Sequence, residues 1–194
     1  MSNYSKFFII FILIIVLIPN LFIPTMSFSG FNNTGTEKIM SYYNISKSEY
    51  CWPIPGYTKI SSYFGKRNSP VAGASSYHLG LDIPAPEGTN LVAPIDSVVS
   101  FIGFNGSGGY AIILKKENLQ FVYHHVSPNY IIQKGNTVLK GQVIGNVGPK
   151  NIYGILNNPY KDSNGKPTNG ATTGPHLHFT IKKDGKAVNP LDYF

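Results

Sequence analysis

All five histidines of this 194-residue chain fall within three short stretches: "YHLGLDIPAP" with His78 and Asp82, "VYHHVS" with His124 and His125, and "TGPHLHFTI" with His176 and His178. The Thr, Phe and Ile content of the last stretch predicts a strand. His176 and His178 then share one face, with Cα atoms about 6.5–7 Å apart. One metal cannot take both at that spacing without bending the chain. The pair suits one ligand and one neighbour acting on a group at the metal; a packed structural pair is the alternative. His78 and Asp82 stand four apart, but Gly80, Pro84 and Pro86 argue against a helix, so their side chains would converge from an extended or turning segment. A histidine with a carboxylate is donor chemistry that suits zinc. Tyr123 and His125 are expected to share a strand face, with His124 pointing away. Taken together, two histidines and an aspartate would complete a three-ligand site with an open fourth position. The histidines left over are suited to proton transfer.

Strands must position these groups. From "CWPIPGYTKISSYFGKR" to Phe194, short apolar runs alternate with Gly, Pro and Asn turns, as in "NLVAPIDSVVSFIGF" and "NTVLKGQVIGNVG". Val98, Ser100 and Ile102 alternate with Val99, Phe101 and Gly103, and "KKENLQ" between two β-prone runs predicts a hairpin. No segment carries a 3.6-residue apolar stripe of helical length. Twenty Gly, 14 Pro, 13 Tyr and 12 Phe fit a β-rich domain with many tight turns, expected over residues 51–194. Residues 149–170, "PKNIYGILNNPYKDSNGKPTNG", are turn-rich and predict a long surface loop. Cys51, the single cysteine, excludes a disulfide framework and a multi-cysteine metal site. The net charge of +7 is spread over scattered lysines. That pattern speaks against a nucleic-acid groove and suits an anionic polymer or a membrane face.

The N-terminus is of another kind. "KFFIIFILIIVLIPNLFI", from Lys6 to Ile23, has one leading lysine and no acidic residue. That is the charge order of an export signal or an anchor held from the cytoplasmic side. Residues 1–29 are therefore expected to be a signal peptide or a hydrophobic anchor helix, with residues 30–50 as a polar linker. The domain is expected outside the cytoplasmic membrane, and attached to it if the leader is retained.

In their order, "H-L-G-L-D", "Y-H-H" and "G-P-H-L-H-F" resemble the signatures of the lysostaphin/LytM-type zinc endopeptidases, which cut peptide bridges in bacterial peptidoglycan. The similarity runs from Trp52 to Phe194 and takes in "SSYFGKR", "KGQVIGNVG" and "GKAVNPLDYF". The resemblance implies a mainly β, open antiparallel, sandwich-like domain with the metal in a groove over the sheet. It also implies one Zn2+ per chain held by His78, Asp82 and His178, with His125 and His176 catalytic and His124 at a variable position. The implied partner is a peptidoglycan peptide, cut in glycine bridges or at D-Ala cross-links; no residue decides which. Residues 149–170 depart from the family's short connection and are expected on the cleft rim. Tyr153 and Tyr160 would contact a peptide stem there or staple the loop itself. The competing reading is a wall, sporulation or division scaffold on the same fold, working with an activator or other partner protein. Retention of every ligand and catalytic position argues against it. A lipoyl-like carrier hairpin at "KGNTVLKGQVIG" fails because its turn displays no suitably flanked lysine.

Overall fold

The computed structural model describes residues 49–68 and 75–194. The expected leader and nearly all of the linker lie outside the described residues. Within them the chain forms β1 (Gly65–Lys66), β2 (Tyr77–His78), β3 (Leu81–Pro84), β4 (Asn90–Val92), β5 (Ser97–Phe104), β6 (Tyr110–Lys116), β7 (Leu119–His124), β8 (Thr137–Val138), β9 (Val143–Asn146), β10 (His176–Lys183) and β11 (Lys186–Val188). Two 3-10 turns, Gly106–Gly108 and Pro190–Tyr193, are the sole helical elements among the described residues. The mainly β, antiparallel architecture is the expected one.

The main sheet runs β11-β10-β7-β6-β5-β8, and β3 pairs with β10 off this path. β10 is the axis of the site. Its first half lies between β3 and β7, and its second half between β11 and β7. The hairpin expected at "KKENLQ" joins β6 to β7, with Glu117 at φ 52° in the turn.

Register divides the labour between the two faces of the sheet. Phe179 stands opposite both Leu81 and Tyr123, and Tyr123 opposite Ile112. These four are fully buried and, with Leu91 of β4 and Ile144 of β9, form the centre of the core. Each such side chain contributes roughly 1.5–3 kcal/mol of apolar burial. One residue earlier, His178 stands opposite both Asp82 and His124, on the other face. A one-residue slip of β10 would exchange Phe179 for His178 in the core, so hydrophobic burial locks the functional residues into alignment.

Two details depart from simple alternation. A bulge between Val99 and Phe101 interrupts the β5–β6 pairing, so the period-two pattern of β5 does not persist along the strand. Tyr50, placed in the linker by sequence, packs its ring against Phe121 and Tyr193 at centroid distances of 5.8 and 5.3 Å.

Candidate metal centre

Three side chains from three strands converge on the non-core face. His78 ends β2, Asp82 sits in β3, and His178 in β10. The turn from β2 into β3 passes so close to β10 that a side chain at Gly80 would strike the Phe179 carbonyl and the Thr180 hydroxyl. Only glycine lets His78 and Asp82 approach His178 together.

The donor atoms are unambiguous. His78 Nε2 lies 2.9 Å from His178 Nδ1 and 3.1 Å from Asp82 Oδ1, and His178 Nδ1 lies 2.8 Å from the same oxygen. His78 Nδ1 is 2.9 Å from the Tyr63 carbonyl, which can only accept, so that nitrogen carries the proton and Nε2 presents a lone pair. His178 Nε2 is held at 3.1 Å by the Thr180 hydroxyl, leaving Nδ1 for the cluster. Three electron-pair donors thus face one point. A tetrahedral zinc with bonds of about 2.0–2.1 Å would hold them roughly 3.3 Å apart, so a cation fits with small relaxation. Burial alone would raise the Asp82 carboxyl, but the surrounding imidazoles of His176, His178 and His78 outweigh it and hold the group well below the usual carboxylate range. Burial pushes the His178 imidazole down despite the neighbouring Asp82 carboxylate. Ligands must be deprotonated, and both directions favour that state.

The second oxygen of Asp82 is also taken. Arg67 Nη1 donates to Asp82 Oδ2 at 2.7 Å and to Ser62 Oγ at 2.6 Å. Oδ1 is left for the cluster while Oδ2 is turned away from it.

His176 and His125 stand beside this triad with rings 4.7 Å apart. His176 Nδ1 donates to the Gly174 carbonyl at 2.9 Å, and His125 Nδ1 to the Asn169 carbonyl at 2.6 Å. Both are thereby locked in one tautomer, with Nε2 available as a base. His176 Nε2 is 3.5 Å from Asp82 Oδ1. Burial pushes His125 well below its ordinary range, reinforced by the neighbouring His176.

The five residues singled out by sequence therefore meet in one place, but the strand face expected for Tyr123 and His125 requires correction. Tyr123 points into the core, its hydroxyl bonded to the Val92 carbonyl at 2.7 Å. β7 ends at His124, and His125 adopts φ 58°, a left-handed conformation that swings it to the groove face. His124 faces the same side, its ring 5.3 Å from that of His178, instead of pointing away. Burial drives its pKa down to about 3, so it is a neutral packing partner.

Three contributors escaped sequence reasoning. Arg67 lies in the quoted "SSYFGKR" and Thr180 two residues beyond His178, the same-face position that could have signalled it. Asn169 was assigned to a surface loop, yet it is fully buried. Its Oδ1 accepts from the Tyr110 amide at 2.8 Å, and its Nδ2 donates to the Val126 carbonyl at 3.0 Å. Its own carbonyl orients His125. Much of residues 149–170 does form a surface excursion, although Ile152, Asn158 and Thr168 are buried within it. Its ends are closed by a bridge between Asn151 and Thr168, and Tyr153 and Leu156 project outward.

The cluster lies on the floor of an open groove of about 520 Å³, walled by Ser62, Arg67, His125, Thr172, Pro175 and His176. Fold and site together define a class: an antiparallel β domain with a His-Asp-His cation site and two oriented imidazoles in its groove. The chain belongs to peptidase family M23, whose model matches residues 76–190. It is 35% identical over 136 residues to the DD-carboxypeptidase/endopeptidase Mpg of Neisseria meningitidis, covering 70% of this chain and 27% of that protein. To the peptidoglycan DD-endopeptidase ShyC of Vibrio cholerae it is 28% identical over 135 residues, covering 69% of this chain and 27% of the other. The chain thus spans about a quarter of the length of these relatives. Among solved structures, a zinc-containing peptidase from Vibrio cholerae matches with a TM-score of 0.55 and 26% identity, over 71% of this chain and 37% of that one.

Proposed function

We propose that the chain is an exported zinc metalloendopeptidase that hydrolyses peptide bonds in the cross-links or stems of bacterial peptidoglycan. One observation carries the reading. Three electron-pair donors, His78 Nε2, Asp82 Oδ1 and His178 Nδ1, lie 2.8 to 3.1 Å apart, beside two histidines oriented by backbone carbonyls. The names of the relatives supply the substrate class, and the apolar leader supports export.

His78, Asp82 and His178 would hold the zinc, which when bound would supply polarisation of the scissile carbonyl and a water pKa lowered to about 7. A peptide lying along the groove presents its carbonyl between the triad and the two oriented imidazoles. Nε2 of His125 or His176 accepts the proton of the attacking water as its oxygen adds to the carbonyl carbon. The imidazolium so formed donates to the developing oxyanion or returns the proton to the leaving amine as the C–N bond breaks. Because each Nδ1–H is already tied to a carbonyl, neither ring must reorient during these steps.

The test is to count zinc in the purified full chain and incubate it with peptidoglycans of several cross-link types, following new amino termini. About one equivalent of zinc with new amines, both lost to a chelator, is the expected result, and the cross-link consumed identifies the bond. Bound zinc with every wall intact would replace this reading with a non-catalytic scaffold.

A further inference from the structure

The excursion at residues 149–170 ends next to the groove wall, at Ala171. A second cavity of about 330 Å³ is cut into it, lined by Lys150, Tyr160, Lys161, Asp162, Thr172 and Thr173. Ala171, Thr172 and Thr173 belong to the wall of this cavity and of the groove over the metal site. A peptide leaving the groove across Thr172 and Thr173 would therefore run directly into the excursion.

The charge in this cavity is unbalanced. Asp162 is consumed by its own turn: Oδ1 accepts from the amides of Asn164 and Lys166, each at 3.0 Å, and Oδ2 from Asn151 Nδ2 at 3.2 Å. Lys150 lies 3.6 Å from the same Oδ2, which partly neutralises it. Lys161 has no carboxylate within ion-pair reach among the described residues. Its strand-like position is fixed by a bridge to Pro167. Beside it stands the half-buried Tyr160, whose backbone amide donates to Asn158 Oδ1 at 3.1 Å.

We propose that this cavity is a specificity subsite that reads a free carboxylate on the arm of the substrate peptide leaving past Thr172 and Thr173. Lys161 supplies the ion pair and Tyr160 an apolar wall. The inference rests on the peptidase reading above. Stem peptides are rich in free carboxylates that some walls mask as amides, so a lysine here separates two chemical classes of the same substrate. A neutral amide in the same place accepts a weaker hydrogen bond from an ammonium group.

The experiment compares full-length wild type, Lys161→Ala and Lys161→Glu on cross-linked muropeptides whose stem carboxylates are either free or amidated. Lys134→Ala, at an exposed turn beside β8, controls for net charge. Wild type should favour the free acid. Lys161→Ala should raise KM for it about three- to tenfold, kcat unchanged, and barely alter the amidated substrate. Lys161→Glu should reverse the preference, while Lys134→Ala preserves it. Equal effects on both substrates, or none, with cleavage intact would overturn the subsite and leave the peptidase standing. Failure of wild type to cleave either substrate would overturn both.

Discussion

Replacing Arg67 by methionine keeps most of the side-chain length and removes the guanidinium that holds Asp82 Oδ2 at 2.7 Å. Two effects fix the size of the outcome. As a contributor to folding the pair matters, because the Arg67 and Asp82 side chains keep only 18% and 14% of their exposure, so removing the guanidinium leaves a largely buried carboxylate short of a partner. We expect a loss of about 1–3 kcal/mol in the metal-free protein. The pair also acts as an outer partner of a metal ligand. Such partners typically contribute 10–100-fold in metal affinity, about 1.4–2.7 kcal/mol. A freed Oδ2 could also turn toward the cation and occupy the position that water needs, so activity should stay low even at saturating zinc. The assay is competition of the full chain against a chromophoric chelator, with Lys66→Met, an exposed neighbour, as charge control. Arg67→Lys restores one donor but not the planar fork, and should fall between wild type and methionine. An unchanged zinc Kd in a folded Arg67→Met chain refutes the argument.

His178→Ala should abolish both zinc binding and cleavage, whereas His176→Ala should keep zinc, read by metal analysis, and lower kcat by about 10²–10⁴-fold. Asn169→Ala removes two side-chain hydrogen bonds from a fully buried position and leaves the Tyr110 amide and Val126 carbonyl without those partners. Thermal unfolding should report a loss of about 2–4 kcal/mol. At a temperature where the variant remains folded, kcat should fall with zinc retained. The Asp162 carboxyl is lowered: desolvation opposes the shift, and the amides of Lys166 and Asn164 with the Asn151 side chain outweigh it. Its contribution to the loop is therefore complete above the ordinary carboxylate pKa of about 4 and lost as pH falls through the lower folded value. Cleavage at the exposed Tyr153 and Leu156 by an acid protease should rise only below about pH 4, and Asp162→Ala should abolish that dependence.

The legible part of this molecule is the part written in side-chain chemistry and period. "HLHFTI" alternates cleanly, so the strand, its core residues Leu177 and Phe179 and its groove residues His176 and His178 could all be read from the sequence. His78 and Asp82 were placed by the converse argument, since glycine and proline forbade a helix and forced their convergence through a turn. His125 reaches the groove, but not along the strand face that alternation predicts. Strand alternation puts it with Tyr123, and only its left-handed φ of 58° carries it to the groove. Period-two reasoning has no means of seeing a strand that stops one residue early. The metal-site character of the cluster was nevertheless legible, because donor identity does not depend on where the strand ends.

The illegible part was written in backbone. The groups that fix the tautomers of His78, His125 and His176 are the carbonyls of Tyr63, Asn169 and Gly174, and a carbonyl has no letter of its own. Asn169 shows why this misleads. In sequence it ends a turn-rich run and looks like surface. In the fold its side chain clamps β6 and the residue after His125, so that its carbonyl is delivered to the imidazole. The excursion before it is closed off by the bridge from Asn151 to Thr168, one residue short of that carbonyl. Its length can change without displacing the histidine it precedes. A loop tied in this way can acquire a subsite of its own while the chemistry beside it stays in place.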